Sequence, residues 1–180
     1  MEMLAIDCET SGLIHNRTLV DWQLPEIVEV TLVRFDLATG AVVDEFDALV
    51  KPAREFDETT KAAQVHGITN AMVVDAPRFA GVFPRVRAMI EAAPVVVGHN
   101  VSFDREAIDV EAARLKVTPI AWPRCLDTIE QTMHLVGRRM SLAELHRHLT
   151  GVAHAGAHRS RGDVDALIRC CVELHKKDML

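Results

Sequence analysis

The chain of 180 residues carries a formal net charge of −6 at pH 7, with 49% apolar and 26% charged residues. These values are typical of one globular domain with a substantial core, so we interpret residues 1–180 as a single domain. They exclude a strongly basic domain that coats a polyanion. No apolar run approaches the roughly 18 residues of a membrane-spanning helix, and no secretory signal is visible. We therefore expect no membrane partner, a cytoplasmic location and four reduced cysteines.

In chain order, extended segments come first and helical segments later. Apolar runs predict strands at 3–8, 27–35 and 41–50, with a turn at 38–40 and a long loop at 10–25. Helical spacing and capping residues predict helices at 58–65, 78–92, 101–116, 127–136, from 141 onward and at 161–177. Short strands are predicted at 94–98 and 124–126. This order indicates an α/β fold with a mixed five-stranded sheet flanked by helices.

Acidic residues occur where predicted strands end or predicted helices begin. Asp7 and Glu9 follow the first apolar run, and residues two apart in a strand point to the same face. Asp104 follows the strand at 94–98, and Asp163 opens the last helix. Clustered carboxylates are costly unless cations lie between them, and such hard oxygen ligands suit Mg²⁺ or Mn²⁺. The sequence therefore predicts a divalent metal site with a histidine, His158, beside it.

Each of these residues taken alone has a simpler structural explanation. Asp104 lies in a first helical turn, where an acid stabilises the helix dipole, and Asn100 could cap that helix. Ser160 and Asp163 have capping-box spacing. His158 alone is typical of a loop histidine. Only the order and spacing of these residues together favour a catalytic site.

Three motifs in this order resemble the DEDDh exonuclease superfamily. They are D-x-E-T at 7–10, H-N-x-x-F-D at 99–104 and H-x-x-x-x-D at 158–163. The segments V-H-G-I-T at 65–69 and C-L-D-T at 125–128 extend the likeness. The superfamily includes the epsilon proofreading subunit of bacterial DNA polymerase III, ribonuclease T, exonuclease X and oligoribonuclease.

The resemblance implies a ribonuclease-H-like fold and removal of nucleotides in the 3′-to-5′ direction. It implies that four carboxylates hold two divalent cations, Mg²⁺ or Mn²⁺, for an in-line displacement at phosphorus. These metal ligands would be Asp7, Glu9, Asp104 and Asp163. His158 would be the general base, a role that a neutral imidazole near pH 7 can perform.

By the same resemblance, six residues form the pocket for the terminal nucleotide. They are Thr10, Gly12, Leu13, His66, Asn100 and Phe103. Phe103 could equally belong to the helix core, and plain packing is favoured over base stacking for Trp22. With 4% aromatic residues, a grip on a few terminal nucleotides is favoured over extended stacking. A modest basic rim is expected from Arg138, Arg139, Arg147, Arg159 and Arg161.

The sequence thus predicts a metal-dependent 3′-to-5′ exonuclease acting on single-stranded or frayed 3′ ends, with DNA favoured over RNA. An exoribonuclease of the ribonuclease T or oligoribonuclease type stays open, because nothing in the sequence decides whether a 2′-hydroxyl is contacted. A catalytically silent nucleic-acid-binding or polymerase-associated module is disfavoured, because all five catalytic positions are filled. A homodimer and an association with a polymerase both stay open.

Overall fold

The computed structural model describes residues 1–12, 24–154 and 159–180. The strands are β1 (Glu2–Thr10), β2 (Ile27–Asp36), β3 (Val42–Leu49), β4 (Val95–Gly98) and β5 (Arg124–Asp127). The helices are α1 (Lys61–His66), α2 (Asn70–Val73), α3 (Phe79–Ala92), α4 (Val101–Arg114), α5 (Thr128–Val136), α6 (Leu142–Thr150) and α7 (Ser160–His175).

The strands form one mixed sheet in the order β3-β2-β1-β4-β5. The three strands from the first part of the chain pair antiparallel, whereas β1 with β4 and β4 with β5 pair in parallel. The predicted mixed five-stranded sheet flanked by helices is confirmed. Because β1, β4 and β5 run in the same direction, their carboxyl ends meet at one edge of the sheet, where α/β sheets gather ligands.

Strand β1 is covered by helices on both faces. Leu4 and Ile6 belong to a core that includes residues of α3 and α4. Met3 and Ala5 belong to a second core that includes residues of α7. Burial on both sides explains why this strand reads as a continuous apolar run rather than as an alternating one.

The observed elements differ from the predicted ones mainly at their ends. Strand β1 continues beyond the predicted residue 8 to Thr10, so the acids after the apolar run are part of the strand. Helix α1 begins at Lys61 and not at 58, because Thr60 is the N-cap that accepts the N–H of Ala63. The short helix α2 was not predicted; its N-cap, Thr69, has a similar role.

The ends of the longer helices also shift. Helix α4 ends at Arg114 and not at 116, and α7 spans Ser160–His175 in place of 161–177. Lys116 has a positive φ of 55°, which ends the helical path. All four cysteines are free thiols. Among the described residues, no helix has both the length and the apolar character needed to cross a bilayer.

Candidate active site

Three carboxylates converge at the carboxyl end of β1. Because side chains alternate between the two faces of a strand, Asp7 and Glu9 lie on the same face as residues 3 and 5. This is the face covered by α7. Asp163, in the first turn of α7, completes the group. One oxygen from each of the three carboxylates lies within 4.8 Å of the other two. This is a set of hard oxygen ligands that fits a divalent cation such as Mg²⁺ or Mn²⁺.

Asp163 is held by a histidine that the sequence did not single out. Nε2 of His154 lies 2.6 Å from Oδ1 of Asp163, and the histidine side chain is 1% exposed. Because an ionised carboxylate only accepts hydrogen bonds, the imidazole donates from Nε2. Its Nδ1 has no hydrogen-bond partner among residues 1–12, 24–154 and 159–180. No sequence signal marks this contact, which depends on how the chain folds back after α6.

The fourth predicted metal ligand, Asp104, is buried near the same strand but lies outside the group of three. Its Oδ1 accepts the backbone N–H of Cys8 at 2.9 Å. The hydrogen bond ties the first turn of α4 to β1 between Asp7 and Glu9. The structure thus places Asp104 beside the acidic group, where its charge acts on Asp7.

The turn before α4 has a strained backbone. Asn100 has a φ of 76°, a left-handed conformation that costs energy for a residue with a side chain. Oδ1 of Asp127 accepts the N–H groups of Asn100 and Ile129, at 3.0 Å and 2.9 Å. Asn100 is the N-cap residue of α4, as predicted, but its side chain makes no capping hydrogen bond, and its Oδ1 accepts the hydroxyl of Ser102.

Burial and mutual repulsion make the acidic group costly in the absence of cations. Burial raises the pKa of Asp7 well above its usual range, and repulsion from Asp104 and Glu9 adds to this. Burial, together with repulsion from Asp163 and Glu29, raises the pKa of Glu9 to about 8. Burial also raises the pKa of Asp104, although the hydrogen bond from Cys8 opposes this. Cations held between these groups would favour their ionised forms.

Two predicted pocket residues are joined to each other. Thr10 is buried, and its hydroxyl donates to the carbonyl of Gly12 at 2.6 Å. His66 is also buried: its Nδ1 accepts the N–H of Ile68 at 2.9 Å, which leaves Nε2 to donate to the carbonyl of Thr10 at 3.3 Å. Burial lowers the pKa of His66 and keeps the ring neutral. His66 therefore supports the end of β1 through a buried hydrogen bond to the backbone of Thr10.

The remaining predicted pocket residues are less enclosed. Phe103 is half-buried, and Gly12 and Asn100 are also partly exposed. Among the described residues, Phe103 does not belong to the apolar cores on either face of β1. Leu13 and Trp22, with most of the predicted 10–25 loop, and the predicted base His158 lie outside the described residues.

The expected basic rim is reduced by ion pairs. Arg159 pairs with Glu29, and Arg161 pairs with Glu45 and Asp165. Arg138 is bound by Glu144. These three arginines are therefore committed to contacts within the protein. Of the predicted set, Arg139 and Arg147 are exposed.

Comparison with known proteins gives a family and a fold. The family model for RNase_T exonucleases matches residues 4–170. The chain is 30% identical over 137 residues to a PolC-type DNA polymerase III from Thermotoga maritima, covering 76% of this chain and 9% of the polymerase. It is 27% identical over 173 residues to a DNA polymerase III subunit epsilon from Treponema pallidum, covering 94% of this chain and 73% of that subunit.

Among solved structures, exonuclease X in complex with 5′-overhanging duplex DNA is similar throughout. The TM-score is 0.69 at 25% identity, over 98% of this chain and 93% of the other. The chain thus spans a small part of the PolC-type polymerases it matches and nearly all of a separate exonuclease.

Proposed function

Because the chain belongs to the RNase_T exonuclease family, we propose that it is a metal-dependent 3′-to-5′ exonuclease that releases nucleoside monophosphates from single-stranded or frayed 3′ ends. The observation that carries the proposal is the convergence of Asp7, Glu9 and Asp163 at the edge of the sheet. A structural role for these acids would leave three partly buried carboxylates in mutual repulsion, with no gain in packing.

The proposal assigns a role to each predicted catalytic residue. Asp7, Glu9, Asp104 and Asp163 hold two divalent cations, Mg²⁺ or Mn²⁺. When bound, the cations supply charge neutralisation at the scissile phosphate and an acidified water. His158 accepts the proton of the attacking water. Cys8 and His154 orient Asp104 and Asp163 through the hydrogen bonds described above.

We propose that the six predicted pocket residues hold the terminal nucleotide. Thr10, Gly12, Leu13, His66, Asn100 and Phe103 border the terminal nucleotide, with His66 acting by supporting Thr10. DNA is the proposed polymer, because the relatives are named as DNA polymerase III components and exonuclease X was solved with DNA. The same relatives support a cytoplasmic location and association with a polymerase as proposals, and we propose that residues 1–180 form one exonuclease domain.

The test uses 5′-labelled single-stranded DNA and RNA of equal sequence, each incubated with Mn²⁺ or Mg²⁺. We expect a ladder shortened by single nucleotides from the 3′ end, faster on DNA, and no ladder in EDTA. Asp163→Asn is expected to abolish the ladder. Asp165→Asn is the matched control, since Asp165 lies in the same helix and binds Arg161 on the surface.

Three results would change the assignment. A faster ladder on RNA would make the protein an exoribonuclease. Equal ladders from wild type and Asp163→Asn would remove the proposed site. A catalytically silent binding module would be indicated if neither polymer gives a ladder although wild type binds Mn²⁺. In that case wild type and Asp7→Ala should bind nucleic acid equally well.

A further inference from the structure

A buried carboxylate to which no catalytic or substrate-binding role was predicted lies next to the acidic group. Glu29 lies on β2, directly opposite Glu9 of β1, and is 3% exposed. Side chains of directly opposed residues lie on the same face of a sheet, so Glu29 is adjacent to a proposed metal ligand. A buried carboxylate is costly unless charged donors surround it.

The donors to Glu29 come from the start of α7. Nε of Arg159 lies 3.1 Å from both carboxylate oxygens, and the terminal Nη2 also donates to Oε1. The backbone N–H of Ser160 donates to Oε2 at 3.0 Å. A bidentate contact of this kind fixes the orientation of the two side chains as well as their distance. The pKa of Glu29 is lowered despite burial, because Arg159 and Ser160 bind its charged form.

Thr31, the next residue of β2 on the same face as Glu29, makes a second contact with α7. Thr31 lies directly opposite Asp7. Its hydroxyl lies 2.7 Å from Oδ1 of Asp47, to which it donates, and 2.6 Å from the hydroxyl of Ser160. Because the threonine proton goes to the aspartate, the serine donates to the threonine oxygen.

These two sets of contacts connect Asp163 to Asp7 and Glu9 through β2. The residues opposite Asp7 and Glu9 hold residues 159 and 160, and the N–H of Asp163 donates to the carbonyl of Arg159 at 3.0 Å. Any shift or rotation of the start of α7 would therefore change the distance from Asp163 to the two acids of β1. Residue 159 also follows His158 directly in the chain.

Packing of α7 does not by itself require this tie. The helix is already attached to the sheet by Val164, Leu167, Ile168 and Cys171, which belong to one buried apolar core. An apolar residue in place of Glu29 would avoid the cost of burying a charge. The polar contact therefore adds a defined position to a helix that is already bound.

We propose that Glu29 is a positioning residue that, through Arg159 and Ser160, holds Asp163 at the distance from Asp7 and Glu9 that divalent cations require. The inference rests on the proposed function, because it takes these three acids as metal ligands. It assigns to β2 a part in building the site, although β2 carries none of the predicted catalytic residues.

The experiment compares Glu29→Gln with Glu45→Gln in the full chain. Glu45 binds Arg161, so the control breaks another contact between the sheet and α7, at 2.9 Å on the surface. We measure Mn²⁺ affinity by calorimetry, and kcat and KM on single-stranded DNA. Glu29→Gln is expected to weaken Mn²⁺ binding or lower kcat by about 10–100-fold, as loss of a residue behind a metal ligand commonly does. KM for DNA and the properties of Glu45→Gln should not change.

Two further variants keep the test decisive if Glu29→Gln fails to fold. Arg159→Lys keeps the charge without the bidentate geometry, and Thr31→Val replaces the hydroxyl with a methyl group of similar size. Each is expected to weaken Mn²⁺ binding, and raised Mn²⁺ concentration should restore part of the lost rate. A lower unfolding temperature with unchanged Mn²⁺ affinity and kcat in all variants that fold would overturn the inference.

The two proposals can fail separately. Cleavage by wild type with unchanged Mn²⁺ affinity and kcat in Glu29→Gln would reject the positioning role and retain the exonuclease. Wild type that binds Mn²⁺ without cleaving, together with weaker binding in Glu29→Gln, would reject the exonuclease and retain the positioning role.

Discussion

Asp104 shows how one side chain can serve both the fold and the proposed chemistry. Its carboxylate accepts the N–H of Cys8 and is 3% exposed. The hydrogen bond needs only an oxygen acceptor, whereas cation binding needs the negative charge. The two roles can therefore be separated by a substitution that keeps the shape and removes the charge.

Asp104→Asn is expected to keep the fold and to lose activity. The amide oxygen can still accept the N–H of Cys8, and loss of the charge removes repulsion with Asp7. In EDTA the unfolding temperature should equal or exceed that of wild type. With Mn²⁺, kcat should fall on the order of 100-fold, or about 2.7 kcal/mol in the activation barrier. Unchanged kcat would show that Asp104 supports the strand only.

His158→Ala tests the proposed base. A histidine ordinarily titrates near pH 6.5, so kcat should fall as pH decreases through this range, and the variant should lose most turnover while still binding Mn²⁺. The exposed His148 provides the matched substitution, His148→Ala, which should not change the rate. A flat rate of wild type from about pH 5.5 to 8 would count against a histidine base.

At the residue scale, the motifs located the acids but not their surroundings. Asp7 and Glu9 could be placed on one face because the strand period is two, and this needs no knowledge of the rest of the fold. The contact of His154 with Asp163 and the buried bracing of Thr10 by His66 could not be found in the same way. His66 is 56 residues from Thr10, and His154, nine residues before Asp163, reaches it only because the chain folds back between α6 and α7.

At the scale of elements, the turn between β4 and α4 decides where Asp104 lies. A Cβ added to Gly98 would lie 2.8 Å from Cβ of Val101 and 2.9 Å from its Cα. Both atoms belong to the first residue of α4 and are fixed by the helix backbone, so a larger residue cannot be accommodated by rotating one side chain. Gly98 therefore allows α4 to begin immediately beside the end of β4.

Gly98→Ala is expected to destabilise the protein and to reduce activity. Overpacking of this kind typically costs about 1–3 kcal/mol of unfolding free energy, and displacement of α4 should also lower kcat. Chemical denaturation measures the first effect. Gly81→Ala within α3 is the matched control, because its Cβ would meet Pro77 at an ordinary 3.6 Å. That change should be neutral or stabilising, by up to about 1 kcal/mol. Equal stability of both variants would contradict the packing argument.

Element bounds were predicted well where a local signal marks them. The capping box of Ser141 and Glu144 is present as predicted, and α6 begins at Leu142 directly after it. Helix α2 was missed because four residues provide too little periodicity to separate a helix from a turn. The start of α7 has no side-chain cap; Glu29 and Thr31 hold it from β2, which no local pattern can indicate.

At the scale of the whole molecule, the site opposes folding until cations bind. Burial and repulsion raise the pKa of Glu9 from 4.5 to about 8, so the folded protein binds a proton there more readily than the unfolded chain. The stability gained from this proton is fully present below about pH 4.5 and is lost as pH rises through about 8. Burial lowers the pKa of His66 and His99, which makes stability rise with pH up to about 6.5, below the pH at which Glu9 loses its proton.

The window from pH 7 to 8.5 contains the loss of the Glu9 proton, and the buried cysteine thiols, whose pKa burial also raises, contribute to the same window. In EDTA, loss of the Glu9 proton should reduce the unfolding free energy by about 1 kcal/mol across this window, a fall of roughly 2–4 °C in unfolding temperature. Glu9→Gln, which cannot ionise, should remove this part of the fall and keep the part that the cysteine thiols contribute. Mn²⁺ should stabilise wild type more at pH 8.5 than at pH 7 because it replaces the proton. Thermal unfolding of both proteins with and without Mn²⁺ measures this. A fall of equal size in Glu9→Gln would assign the pH dependence to other groups, and stabilisation by Mn²⁺ that does not grow with pH would separate the cation from these carboxylates.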